Sequence, residues 1–515
     1  AFLALGVLAG APWLVGPIAG ALSVWLFSQI IRFTDPDRSA RWRLGATVLF
    51  AVAPFGAFMF GSHMNHATTL LALLVATYGL ARATRAEGAG PWWGFVAGLG
   101  LGVAATIRPL DALAFALPAA VWLGARAVRD RSALPAFLAS GLGVAVPFAA
   151  MAWVNVQTTG APFLFGYEVL WGASHGLGFH ASPWGEAHTP ARGVELLTLY
   201  VTRLQTYLFE TPFPSLLPAV AGLALAPRGL RALDRFLLAS AALLGALYFA
   251  YWHDGFFLGP RFVFAWLPVL VLWSARAPWI VLDRVADSIR PRAAAALSGF
   301  LVTGALLAAT ASLPVRLAQY RSGLTSMRVD FGAAARAAGA TQALVFVRES
   351  WGSQIVTRLW ARGVSRSATA ALYAGVDACA LDRALRELER TDTRGAVAER
   401  SLTPLLADSA KVRSSPLSPD STEKVLPGAT YDAPCLAGIQ ADRSGYTHLV
   451  PLALERTSGN VYVREFGARD SLMLAAYPDR PVWQLRRRGM DGDPVFVWER
   501  LARDSALAAW RGASR

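Results

Sequence analysis

Two patterns of hydrophobicity divide the 515-residue chain. Residues 1 to 318 carry long apolar blocks broken by short polar connectors, and residues 319 to 515 carry brief apolar runs in mixed charge, as in an ordinary soluble domain. A hydrocarbon core takes about 20 apolar residues per helix. On that rule the sequence predicts about ten spans, near 12–32, 44–60, 66–82, 92–108, 109–125, 134–155, 213–227, 236–252, 261–283 and 293–316. In the tail, VDFGAAARAAG, SQIVTRLWARG and ACALDRALRELERT read as helices, and QALVFVRE, NVYVREF, PVWQLRR and PVFVWERL read as strands. The Ser/Pro-rich DSAKVRSSPLSPDSTEKVLPG reads as a mobile loop. The predicted fold is an α-helical polytopic membrane bundle over 1–318, followed by a C-terminal α/β soluble domain over 319–515. The first residues, AFLALGVLAG, begin inside apolar sequence with no basic n-region or cleavage site, so the expectation is a fragment that lacks its first span.

Charge orients this bundle. All but Lys411 and Lys424 of the 48 basic residues are Arg, and the formal charge is +14. No basic stripe with interleaved aromatics accompanies that excess, which argues against a nucleic-acid partner. Arg32, Arg38, Arg41 and Arg43 share one connector. Arg82 with Arg85, then Arg126, Arg129 and Arg131, then Arg228, Arg231 and Arg235, then Arg276, Arg284, Arg290 and Arg292 fall in the alternate ones. By the positive-inside rule those connectors face the cytoplasm. The other loops, and the tail after the last span, then face outward. The expected localisation is the cytoplasmic (inner) membrane, multi-pass, with the C-terminal domain outside. Both cysteines lie in that tail, so an oxidising compartment would permit a Cys379–Cys435 disulfide.

The outward loops carry the candidate chemistry. In YWHDGFFLGPRFVFAWLPVL, His253, Asp254 and Arg261 flank Gly259 and Pro260 at the mouth of a span. Arg261 either snorkels to the interface and pairs with Asp254 or offers its fork to a phosphate, and a lipid phosphate sits at this depth. Arg108, Pro109 and Asp111 repeat the arrangement in VAATIRPLDALAFALP, where the i, i+3 pair can equally neutralise itself. GSHMNHATTL places His63 and His66 around Asn65 without a defined third metal ligand, so a divalent metal stays open but unassigned. In GYEVLWGASHGLGFHASPWGEAHTP, Tyr167 and Glu168 lie among Trp and His residues that could cover a sugar ring or form an interfacial belt. The Asp-x-Asp of TDPDR at 34 to 38 reads as a solvated turn in an arginine-rich connector. Gly94, Gly98 and Gly102 of WWGFVAGLGLGVAA are spaced for close helix packing.

Together PWLVGPIAGALSVWLFSQIIRF, FMFGSHMNHATTLLALLVATYGLARA, GFVAGLGLGVAATIRPLDALAFALPAAVW and GPRFVFAWLPVLVLW resemble the GT-C superfamily of membrane glycosyltransferases, over roughly residues 1 to 285. The resemblance is to the branch of dolichyl-phosphate-mannose protein mannosyltransferases and aminoarabinose transferases. It implies inverting transfer of a sugar from a polyprenyl-phosphate carrier to a lipid or protein/glycan acceptor on the outer face. It also implies a catalytic carboxylate on a first outward loop that has no counterpart here. Arg261 stands where such proteins carry Gly-Pro-Arg, and Arg108 with Asp111 matches an Arg-Pro or Lys-Pro turn. Arg261, then Arg108, are the expected phosphate ligands, with His253, His63, Asn65, His66 and Tyr167 around the substrate. The base is left among Asp254, Asp111 and Glu168. Ten spans with outward ionisable groups would also suit a transporter or lipid flippase, or a non-catalytic envelope scaffold.

Overall fold

The computed structural model describes residues 2–85, 90–166, 168, 176–180, 187–226, 230–252, 255, 258–323, 330–348, 351–414, 424–428, 430, 431, 435, 452, 455–465, 470–488 and 495–504. The chain forms two compact units, one of residues 1–166, 176–182 and 187–317, the other of residues 167–175, 183–186 and 318–515.

The first unit is a helical multi-span membrane bundle. Among the described residues seven helices are long and apolar enough to cross a bilayer, or eight if the pair Ala40–Val52 and Pro54–Phe60, bent by 55°, counts as one span. Pro54 explains the bend, because its ring cannot accept the helical conformation of the residue before it. Two of the ten expected spans account for the lower number. His66–Ala83 is a helix of 18 residues, but its Thr and Arg content keeps it out of the apolar set. Residues 213–227 yield only Leu217–Ala224, eight residues that rise about 12 Å, well short of the hydrocarbon thickness.

Glycine sets the tightest packing. An added β-carbon at Gly98 of the Gly90–Ile107 helix would run into the carbonyl of Ser140 on the Leu134–Thr159 helix, so the two backbones meet with no side chain between them. The arginine-bearing ends of the helices gather at one pole. There Arg85 lies over Phe33 at 4.3 Å and Arg82 over Trp93 at 4.6 Å, each joining the end of one helix to the end or start of another.

That pole also holds a buried ionic knot, and it corrects two sequence readings. Arg276 lies inside the Leu267–Leu282 helix, not in a connector, and is buried. Its Nη2 donates to Asp35 Oδ2 at 2.6 Å, its Nε reaches both Asp35 oxygens, and its Nη2 stands 2.9 Å from Asp234 Oδ1. Asp35, expected in a solvated turn, has a side chain only 11% exposed, whereas Asp37 two residues on is 85% exposed and pairs with Arg231 at 2.6 Å. The Asp-x-Asp is therefore split between an ion-paired interior and solvent, which leaves no pair of carboxylates to share a metal.

The second unit is a mixed α/β layer. Strands β1 (Leu344–Val347), β4 (Val461–Arg464), β5 (Val482–Arg488) and β6 (Val495–Leu501) form a sheet in the order β4-β1-β5-β6. β1 runs parallel to both neighbours, with Leu344 opposite Val461 and Val482, and β5 and β6 are antiparallel. All four β1 residues are buried, as a central parallel strand covered on both faces requires. Phe331 and Leu485 pack with Val345 and Val347 on one face, and Leu474 with Leu344 and Phe346 on the other. Short β2 (Arg413–Ser414) and β3 (Lys424–Val425) pair antiparallel inside the stretch expected to be loop, and residues 415–423 between them lie outside the described residues. A helical core around Ile355, Leu359, Leu381 and Leu385 contains the disulfide between Cys379 and Cys435, whose Cα atoms are 5.9 Å apart.

Candidate functional site

At the pole opposite the arginine-rich ends, four helix termini meet. Pro109 occupies the first turn of the Pro109–Arg129 helix, where its missing N–H costs nothing, and Arg108 precedes it in extended conformation. Asp111 in that first turn favours the positive end of the helix dipole. Tyr248 closes the Ala232–Phe249 helix, Arg261 opens the 3₁₀ turn Arg261–Trp266, and His66 opens the His66–Ala83 helix.

Phe262 is the hub that joins them. Its ring stacks parallel to Tyr248, centroids 5.1 Å apart at 4°. The guanidinium of Arg108 lies 5.2 Å from its centroid and that of Arg261 lies 5.3 Å away, so two cations share one phenyl ring. The imidazole of His66 stacks on the same ring at 6.4 Å. Arg108 donates from Nε to Asp111 Oδ2 at 2.9 Å and from Nη2 to the Tyr248 hydroxyl at 2.7 Å, and that hydroxyl donates to Asp111 Oδ2.

This triangle separates the sequence candidates. The self-neutralising Arg108–Asp111 pair is present, and it makes Asp111 a poor general base: the carboxylate is buried and engaged by two donors. His66 is different. It is 3% exposed, and neither ring nitrogen has a hydrogen-bond partner among the described residues. A buried polar group left so costs about 1–3 kcal/mol, so an imidazole in this setting favours any ligand or ordered water that can pair with it.

His63 and Asn65, on the turn before His66, line a cleft of about 150 Å³ together with Val15, Ser62, Thr68 and Ile107. Ile107 precedes Arg108, so the cleft adjoins the cationic cluster. Tyr167, His253 and Asp254 lie outside the described residues. Glu168 groups with the second unit. Among the described residues no three His, Cys, Asp or Glu side chains gather to hold a metal ion.

Two participants escaped the sequence reading. Tyr248 and Phe262 looked like ordinary span residues, and only their stacking shows that they carry the cluster. Glu210 was also overlooked. It is 2% exposed and paired with Arg316 at 2.7 Å, just beyond the Pro190–Tyr207 helix.

No family model matches the chain, and no curated protein matches it. Among solved structures, the crystal structure of ArnT from Cupriavidus metallidurans bound to undecaprenyl phosphate is similar over 94% of this chain and 83% of that one, with 14% identity and a TM-score of 0.38. At that TM-score the agreement is too loose to carry residue roles from one chain to the other.

Proposed function

We propose that the protein transfers a sugar from a polyprenyl-phosphate carrier to an acceptor at the outer face of the cytoplasmic membrane, with the carrier phosphate bound beside Arg108 and Arg261. The observation that supports this most is the convergence on Phe262 of Arg108, Arg261 and a buried His66 that has no hydrogen-bond partner among the described residues, at the pole away from the arginine-rich ends. A phosphate is the ligand such donors suit: guanidinium groups present planar forks to its oxygens, and a neutral imidazole can donate one further N–H. The GT-C resemblance of the surrounding strings supplies the substrate class.

The chemistry follows from where charge develops. The acceptor oxygen attacks the anomeric carbon as the bond from that carbon to the phosphate oxygen breaks, and the carrier leaves with the electron pair. Guanidinium groups already in place, in a site with little water, stabilise that growing charge without reorganising. The acceptor proton needs a base. Asp111 is occupied, and of the sequence candidates Asp254 belongs to the same unit as the two arginines. The second unit, which holds the disulfide, is proposed to lie outside the cytoplasm.

The test is transfer from a radiolabelled polyprenyl-phosphate sugar by the full-length protein. Arg261→Ala should lower turnover by roughly 10²–10³-fold, the usual effect of removing one such electrostatic group, while expression is unchanged. Turnover equal to the parent's would remove Arg261 from the site.

A further inference from the structure

We infer that Glu210 is a positioning residue that fixes, through Arg316 and Tyr207, the turn bearing Arg261; its consequence for carrier binding rests on the sugar-transfer reading, but its consequence for the turn does not. The chain of contacts starts at a strained residue. Glu210 has φ +51°, a left-handed conformation unusual for a residue other than glycine. Such a conformation is unfavourable by itself and persists where surrounding contacts hold it. Here the contact is ionic and enclosed: Arg316 donates from Nε to Glu210 Oε1 at 2.7 Å, with Glu210 buried and the Arg316 side chain 13% exposed.

Arg316 then holds Tyr207 in two ways. Its Nη1 donates to the Tyr207 hydroxyl at 3.1 Å, and its guanidinium lies 4.0 Å from the centroid of the same ring. Tyr207 in turn packs against the turn before Arg261. A β-carbon added to Gly259 would stand 2.8 Å from Tyr207 Cδ1 and 3.1 Å from Phe55 Cε2, so the two rings shape the backbone there.

That backbone is itself strained. Leu258 has φ +59° and Gly259 φ +109°, two successive residues in the positive-φ region, and Leu258 is buried. The Gly259 carbonyl accepts from the Arg261 backbone N–H at 2.8 Å, and the Gly255 carbonyl accepts from it at 3.1 Å. A turn of this kind would relax if the ring packed on it moved, and the relaxation would carry the Arg261 guanidinium away from Phe262. Glu210 acts on the turn through Arg316 and Tyr207.

The test uses a thiol reporter in the full-length protein. The sequence has two cysteines, and they are joined in the disulfide, so Leu258→Cys adds the single reactive thiol. Breaking an enclosed ion pair by removing one charge favours local opening, so Glu210→Gln should speed maleimide labelling at position 258 by about tenfold or more. Tyr207→Phe keeps the ring and removes only the hydroxyl, and should speed labelling by about threefold. This second variant decides the matter if Glu210→Gln does not accumulate as folded protein. Labelling within about twofold of the parent in the variants that fold overturns the inference.

A second arm measures binding of polyprenyl phosphate without any sugar. If the parent binds it, Glu210→Gln should bind about tenfold more weakly, and unchanged affinity refutes the functional half. If the parent does not bind it, the sugar-transfer reading fails, and the labelling rates still judge the turn.

Discussion

The two poles of the bundle handle buried charge in opposite ways. At the arginine-rich pole, Arg276 is enclosed by Asp35 and Asp234, so acid outnumbers base and the guanidinium hydrogen bonds go to protein carboxylates. At the other pole, Arg108, Arg261 and His66 crowd one phenyl ring, and among the described residues His66 has no hydrogen-bond partner at either nitrogen. A polar network closed on itself fixes helices relative to one another. One with buried donors unspent is an arrangement that costs stability, and functional sites are where proteins keep such arrangements.

Substitutions can break or sharpen that contrast. The largest effect on folding is expected at the closed pole: Arg276→Ala strands two buried carboxylates and should cost about 3–5 kcal/mol, read as a lowered unfolding temperature in detergent. Transfer per folded molecule should survive, and its selective loss would show that this pole also serves catalysis. At the open pole the sign reverses. His66→Leu relieves an unsatisfied imidazole and should stabilise the fold by about 1–2 kcal/mol while weakening polyprenyl-phosphate binding. A destabilised variant with unaltered binding would make His66 a packing residue. Asp234→Asn removes the surplus charge beside Arg276 and keeps its volume, so its cost should stay below about 1 kcal/mol; a loss as large as that of Arg276→Ala would contradict the idea that the carboxylate is in excess.

Glu455, in the second unit, provides the smallest effect and a control. It accepts five hydrogen bonds, from the N–H and hydroxyl of Thr457, the N–H and hydroxyl of Ser458 and the hydroxyl of Tyr462. Burial pushes its carboxyl up, but the Ser458 and Thr457 hydrogen bonds outweigh burial and hold it below the ordinary carboxylate range. A depressed folded-state value means stability that is present above the unfolded-state value and fades as pH falls through the folded one. Glu455→Gln should therefore flatten the acid limb of the unfolding profile by less than about 1 kcal/mol, since the group is partly solvated, and leave neutral-pH transfer unchanged.

How far the sequence reached depended on the range of the signal. The GPR and RPLD turns were legible because Pro, Gly and a charged residue at a span mouth announce a local geometry. The seven helix and strand strings in the tail were legible because their apolar periods are local too. Of the two expected spans missing among the described residues, one was unforeseen because hydropathy windows count apolar residues and cannot see that Leu217–Ala224 stops after eight, and the other, His66–Ala83, is a full-length helix that is too polar for the apolar set. Arg276 was misplaced for a related reason: an Arg near a span end reads as topology unless its acidic partners, distant in the chain, are known.

By itself, then, the sequence determined the membrane-spanning character, the alternation of arginine-rich and arginine-poor loops, and the residue types at the turns, all of which follow from composition and short-range pattern. Tertiary structure alone decided that Phe262 gathers two guanidinium groups and an imidazole, that Tyr248 locks Asp111, and that Glu210 answers Arg316. Apart from the contact between the neighbours Arg261 and Phe262, those outcomes depend on which helix ends meet, and contacts between residues more than a hundred positions apart leave no trace in any local period.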